Sequence, residues 1–204
     1  MVGRAEWRAS LAEREARLWA DFRWHLFVAE RAGEVVGVAS GSYLGNMNIG
    51  MVGYLVASPL ARGRRVGPRL RIRLGAAFAR DAREAGHRAL EAVVGEVRRD
   101  NPWLKTLIRR RKVLALDFDY LQPRLHHTKK PVPLVLYYDT ARQIRRLTCA
   151  FLRRLLYTIW RRVYRIARPL TRLAFRQMLR WLDHHRSIGG LSVDDLPGQT
   201  ARLR

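Results

Sequence analysis

The residues with the clearest chemical potential lie in LVASPLARGRRVGPRLRIRLGAAFARDAREAG, from Leu55 to Gly86. A short apolar run enters a turn built from Arg62, Gly63, Arg64, Arg65, Val66 and Gly67, and an amphipathic helical pattern follows at once. The first N–H groups of a helix have no internal acceptors, and the helix dipole adds positive potential there. A strand, a basic glycine turn and a helix in that order therefore build a site for a phosphate or pyrophosphate. Gly63 and Gly67 would let the backbone approach the anion, while Arg62, Arg64 and Arg65 would add charge-assisted hydrogen bonds.

The remaining reactive side chains form no comparable constellation. His126 and His127 share a loop with Lys129 and Lys130, and His184 and His185 end a helical pattern. Neighbouring histidines diverge on a helix or strand, and no cysteine or acid cluster joins them, so we expect no metal site. Cys149 is the single cysteine. It fits a reducing compartment and reads as an ordinary helix residue.

The 204 residues suit one domain with an extension, and 40 basic against 17 acidic residues give a formal charge of +23. Only four of the bases are lysine. Such an excess attracts polyanions: a CoA thioester, a nucleic acid or an anionic membrane surface. The N-terminus is charged and helical in pattern (Arg4 to Ala20) and shows no signal peptide. Residues 35–61 carry no charge but hold five glycines and alternate in hydrophobicity, which predicts strands and not a membrane span. The expected location is the cytoplasm, peripheral on the inner face of a membrane if the basic segment described below binds lipid.

Strands are expected at His25–Glu30 and Val35–Tyr43, joined by a hairpin turn with Gly33, and at Asn48–Ala57, where glycines signal a bulge or close approach. A helix follows over Pro68–Ala85, with Leu70, Leu74, Ala77, Phe78 and Ala82 on one face and Gly86 as its C-terminal cap. A strand at Arg88–Val97 comes next. Asn101 and Pro102 then open a helix expected to reach about Leu116. Strands at Phe118–Gln122 and Val132–Tyr138 close the pattern. The fold class is α/β (α+β), a mixed and mostly antiparallel central sheet flanked by helices, with further amphipathic helices at the C-terminus.

This order resembles the later part of the GNAT (Gcn5-related N-acetyltransferase) fold, over roughly Phe27 to Asp139. The loop from Arg62 to Gly67 looks like that family's motif A, Arg/Gln-x-x-Gly-x-Gly/Ala, which holds the pyrophosphate of acetyl-CoA. Arg65 stands where the family's middle glycine is usual. Asn101 takes the place of the asparagine that opens the helix after the fifth strand, and Asp117–Pro123 looks like a sixth strand. The family's usual first strand is not visible. The resemblance implies an acetyl-CoA-dependent N-acyltransferase with direct transfer to an amine, using acetyl-CoA or another acyl-CoA and no metal. It implies that Leu55, Val56 and Ala57 pair with the pantetheine arm, and that Arg62, Gly63, Arg64, Arg65, Val66, Gly67 and Asn101 complete the cofactor contacts. Direct transfer needs a base, for which Glu96 and Glu91 are the candidates, and an acid for the leaving thiolate. The tyrosine usual in the helix after Asn101 is missing, and Tyr120, Tyr54 or Tyr43 would have to stand in. The alternative is a catalytically weak GNAT-like binding module.

Beyond Asp139 the composition changes. Residues 139–204 hold 15 arginines and four acids. Apolar residues recur at helical spacing from Ile144 to Leu173, with arginine pairs at 145–146, 153–154 and 161–162 on the other side. The expected organisation is a GNAT-like domain over 1–139, a basic amphipathic helical extension over 140–186, and a flexible tail over 187–204. The extension has three readings: a helix packed on the domain or in a homodimer, a docking element for an anionic membrane displaying Tyr157, Trp160, Tyr164 and Trp181, or a nucleic-acid-binding segment.

Overall fold

The computed structural model describes residues 21–61, 63–109, 113–123 and 130–196, together with Arg8, Leu11, Ala12, Glu15 and Ala16. Arg62, His126 and His127 lie outside these residues, as does most of the expected N-terminal helix. The chain divides into two contact-dense units, Met1–Val94 and Gly95–Arg204.

In the first unit, β1 (Phe22–Arg31) and β2 (Glu34–Leu44) form an antiparallel hairpin. Its two turn residues, Ala32 and Gly33, have φ of 48° and 80°. Positive φ at both positions matches the strand twist, which is why a glycine is placed there. β3 (Ile49–Ala57) returns antiparallel to β2 with a register shift at Ser40/Gly41 that leaves Gly53 as the extra residue. The expected bulge is therefore present. After a 3-10 turn at Pro59–Ala61, helix α1 runs over Val66–Glu84. It begins two residues before the expected Pro68. It ends in a Schellman arrangement: Gly86 (φ 84°) donates to the Arg83 carbonyl and His87 to that of Ala82.

All five residues expected on the inner face of α1 are buried, and Asp81 joins them. Asp81 is 2% exposed and lies 2.5 Å from Nε2 of His25 on β1, with Arg23 3.4 Å away. This buried polar contact ties the last turns of α1 to β1. The helix lies close to the sheet because β2 and β3 present glycines beneath it. A methyl on Gly37 would stand 2.7 Å from Val66 and 3.0 Å from Leu70, one on Gly41 2.7 Å from Phe78, and one on Gly50 would enter the Phe78 ring.

β4 (Ala92–Val97) begins later than the expected Arg88; it follows β3 in strand order and runs across the division between units. In the second unit the order is β4, β7, β5, with β6 also on β7. Here β5 is Val113–Ala115, β6 is Tyr120–Gln122 and β7 is Val132–Asp139, and β7 is antiparallel to both β5 and β6. Helix α2 covers only Pro102–Ile108. The helix expected to reach Leu116 is corrected: Val113 to Leu116 are all buried, and β5 pairs with Tyr137–Asp139. A short, wholly buried apolar run has no periodicity to separate strand from helix, and sheet pairing decides it. Phe118 is buried but precedes β6.

In the C-terminal region Pro169 separates two helices, as a proline inside a helical pattern dictates. β8 (Leu147–Thr148) leads into α3 (Cys149–Thr158), capped by the Thr148 hydroxyl, which accepts from Phe151 N–H at 3.3 Å. A π-helical turn follows at Ile159–Val163, then a 3-10 turn at Pro169–Thr171 and α4 (Leu173–Asp183). The tail reading is corrected for residues 187–196. β9 (Ser187–Ile188) pairs with β8, the N–H of Leu191 donates to the Ala115 carbonyl at 2.7 Å, and Leu191 and Leu196 are buried in the core with Leu104, Leu107 and Tyr137. Apolar residues spaced along a polar stretch outweigh its glycines once the core has room for them.

The glycine-floored seat of α1 is testable. Gly50→Ala places a methyl in the Phe78 ring and should lower unfolding stability by about 1–3 kcal/mol, the usual cost of overpacking. Urea denaturation measures it, and an unchanged midpoint would remove the packing argument.

Candidate functional site

Two groups of residues have the chemistry of a site, one in each unit. In the first, the exposed end of β3 leads to the basic turn. Val56 and Ala57 are exposed, while β2 pairs with one edge of Leu55–Ala57 through Gly37–Ala39. Gly63 has φ 76° and Arg65 has φ 56°, ψ 26°. Arg65 thus holds the left-handed conformation that glycine adopts freely, at a cost of roughly 1–2 kcal/mol for a residue with a Cβ.

Arg65 is also the N-cap of α1, and it makes no side-chain capping bond. The first turn contains no acid. Val66 and Gly67 belong to the helix and not to the loop. Pro68 has no N–H, and that of Arg69 reaches the Arg65 carbonyl at 3.0 Å, whereas Gly67 has no acceptor among the described residues. A methyl on Gly67 would meet nothing within 4 Å. Arg64 and Arg65 are exposed, and neither is paired with a carboxylate among the described residues. An uncapped positive helix end beside unpaired guanidinium groups is electrostatically incomplete, and an anion completes it.

In the second unit, Glu96 near the end of β4 collects hydrogen bonds. Tyr120 donates its hydroxyl to Oε1 and Tyr164 to Oε2, and Gln122 Nε2 donates to Oε2 at 2.5 Å. Gln122 also donates to the Tyr164 hydroxyl at 2.5 Å. Burial raises the Glu96 carboxyl above its ordinary value, and the three hydrogen bonds pull back only part of that rise. Burial, followed by the Glu96 charge, pushes Tyr120 well above the ordinary phenol value. Tyr120 is 0% exposed and its hydroxyl is engaged by Glu96, whereas Glu96 and Tyr164 keep part of their surface open.

Sequence reasoning missed Gln122 and Tyr164. Tyr164 closes the π-helical turn, its N–H reaching five residues back to Ile159 at 3.1 Å, and Arg165 after it has φ 55°. Such turns re-aim side chains at functional sites, but an aromatic in an amphipathic pattern gives no warning of one. Of the other candidates, Glu91 stands before β4, its N–H bonded to the Asn48 carbonyl. Asn101 accepts from Trp103 N–H at 3.0 Å and caps α2. Tyr43 is buried and donates to Asn48. Of the four aromatics expected on a docking face, Trp160 is 1% exposed, Tyr164 and Trp181 are partly buried, and Tyr157 is exposed. Among the described residues no three metal-ligating side chains gather, and no helix is long and apolar enough to cross a membrane.

No protein-family model matches the chain, and no curated protein does. Solved structures do resemble it. A protein from Bacteroides thetaiotaomicron assigned to the GNAT acetyltransferases matches with TM-score 0.50 and 17% identity over 76% of this chain and 80% of its own. A ribosomal-protein-alanine N-acetyltransferase from Brucella melitensis matches with TM-score 0.44 and 20% identity over 68% and 79% of the two chains. A Thermoplasma acidophilum N-acetyltransferase in complex with coenzyme A gives 0.47 and 11% over 67% and 70%. The chain has the GNAT fold: a mixed α/β structure with a mostly antiparallel central sheet flanked by helices.

The raised Glu96 carboxyl has a sign that experiment can read. Between its ordinary value near 4.5 and its raised value, the folded state binds more protons than the unfolded one, so stability falls as pH rises through that window. Glu96→Gln removes that loss. Its stability relative to the parent, measured by denaturation from pH 4 upward, should increase with pH and level off above the folded pKa.

Proposed function

We propose that this chain is an acyl-CoA-dependent N-acyltransferase that moves an acetyl or other acyl group directly to an amine. The observation that carries this reading is the uncapped, acid-free start of α1, in the turn Gly63, Arg64, Arg65, Val66 and Gly67, where a Cβ on either glycine would meet nothing within 4 Å. A CoA pyrophosphate supplies the missing charge there. The backbone of Leu55, Val56 and Ala57 is assigned to the pantetheine arm, and Arg62 and Asn101 remain candidates for further contacts.

Proton traffic is assigned to the Glu96 group. A carboxylate whose pKa is raised by burial is a stronger base toward an ammonium acceptor than an ordinary one. An ammonium acceptor gives up two protons on becoming an amide: one passes to solvent, and the other enters at Glu96. The departing thiolate receives a proton from Tyr164, the partly exposed phenol, and Glu96 then restores the proton to that phenol. Tyr120 and Gln122 hold the carboxylate in place throughout. Glu91, the other base candidate, stands before β4 and not on it.

Calorimetry with acetyl-CoA tests the loop. Binding should be saturable in the parent and lost in Gly67→Trp, whose side chain enters open space and leaves the core intact. Glu96→Gln should keep acetyl-CoA binding and lose about 10²–10⁴-fold in turnover with an amine acceptor. A folded parent that does not bind acetyl-CoA would sink the enzyme reading and favour a catalytically inert binding module.

A docking role for the C-terminal region accompanies this reading. Leu170 and Leu173 are 58% and 59% exposed, amid the exposed Arg168, Arg172 and Arg176. Apolar side chains within an arginine field suit an anionic bilayer surface. The full chain should sediment with phosphatidylglycerol vesicles, at least tenfold less in Leu170→Glu/Leu173→Glu. Loss of binding on adding RNA, with no effect of the leucine pair, would favour nucleic acid. A concentration-dependent dimer broken by the pair would favour self-association.

A further inference from the structure

The first unit contains an open-sided cavity of about 850 Å³ that shares only Arg64 and Val66 with the turn assigned to CoA. Its lining comes from the β1–β2 hairpin, the 3-10 turn and one side of α1. The apolar part includes Val28, Val35, Val36, Leu60, Val66 and Leu70. Val28, Val35 and Leu60 are 47%, 58% and 82% exposed, an uncommon display of branched side chains at one place. Arg31, Arg64, Arg69 and Arg73 ring it, against Glu30 and Glu34. No carboxylate among the described residues pairs with any of the four guanidinium groups.

The placement follows from chain geometry. Val66, Arg69, Leu70 and Arg73 fall on one stripe of α1 at helical spacing, so apolar and cationic groups alternate along one wall. The opposite wall is the hairpin end, where the register shift at Ala29/Glu30 turns β1. Bulges of this kind re-aim strand ends beside binding sites. Leu55, Val56, Ala57, Gly63, Arg65 and Gly67 contribute nothing to the lining. The cavity is thus separate from the backbone assigned to CoA and meets that turn only through Arg64 and Val66.

We propose that this cavity is a binding site for an anionic amphiphile, a short aliphatic chain ending in a carboxylate or phosphate. The exposed valines and Leu60 take the chain, since burying them with an aliphatic ligand removes apolar surface of both from water. The guanidinium groups of Arg31, Arg69 and Arg73, none of them assigned to CoA, take the head, to which arginine offers paired N–H donors. The volume lies within the range of small-molecule sites. A neutral alcohol would leave the arginines unsatisfied, and a free anion would leave the apolar wall wet. The site needs both parts of the ligand. This inference goes beyond acyl transfer and stands whether or not the chain binds CoA.

The experiment is calorimetry on the full chain with decanoate, decyl phosphate, decanol and butyrate, below the micellar range. Decanoate or decyl phosphate should bind at least tenfold more tightly than decanol and butyrate, and the tighter of the two identifies the head group. Arg31→Glu/Arg73→Glu should weaken that binding at least tenfold, and so should Val35→Trp, which fills the cavity from an exposed position. Circular dichroism checks that each variant folds, and the arginine pair stands as the test if the tryptophan variant does not. Acetyl-CoA should neither compete with decanoate nor lose affinity in the arginine variant. No decanoate or decyl phosphate binding by the folded parent, equal binding of decanol, binding unchanged in the folded variants, or competition by acetyl-CoA would each overturn the proposal.

Discussion

Helix α1 can rest on β2 and β3 only because three positions under it lack side chains. Gly37, Gly41 and Gly50 let Val66, Leu70 and Phe78 come against the strand backbone. Everything proposed for the first unit depends on that approach. It fixes where the helix starts, and so where its unsatisfied positive end lies. It also sets the spacing between α1 and the hairpin that leaves a cavity on one side. The His25–Asp81 contact secures the far end of the same helix, so its position is held at both termini.

Much of this was legible in the sequence because the signals were local. The glycine turn, the face of α1, its glycine terminus and the Asn101 cap rest on residues a few positions apart. Their physics is that of one turn or one helix. The errors came where distant pairing decided the outcome. Val113–Ala115 became a strand because β7 offered a partner. Asp81 was invisible as a buried group because its partner His25 lies 56 residues away. The turn at Arg65 was legible as a departure from a motif, but only coordinates reveal that an arginine carries a glycine's backbone angles there.

The C-terminal region shows what amphipathicity leaves open. Its apolar stripe fitted packing against protein, a membrane surface or a nucleic acid. In the structure most of that stripe is spent internally: Leu152, Leu155, Leu156, Ile159 and Trp160 are buried, as are Phe175, Met178 and Leu182. A periodic pattern reports that one face is covered without reporting by what. What remains outside is arginine with a few exposed apolar residues, and docking rests on these alone.

Tyr164 lies 68 residues from the carboxylate it contacts, and it is aimed by a π-helical turn. Glu96 therefore reaches its final set of donors only when two remote parts of the unit have closed on each other, the kind of long loop that folds late. Until then it is a carboxylate with an incomplete cage and a different affinity for protons. The proton affinity of this carboxyl thus depends in part on the chain's last third, and a perturbation there changes the carboxylate without touching the strand that bears it.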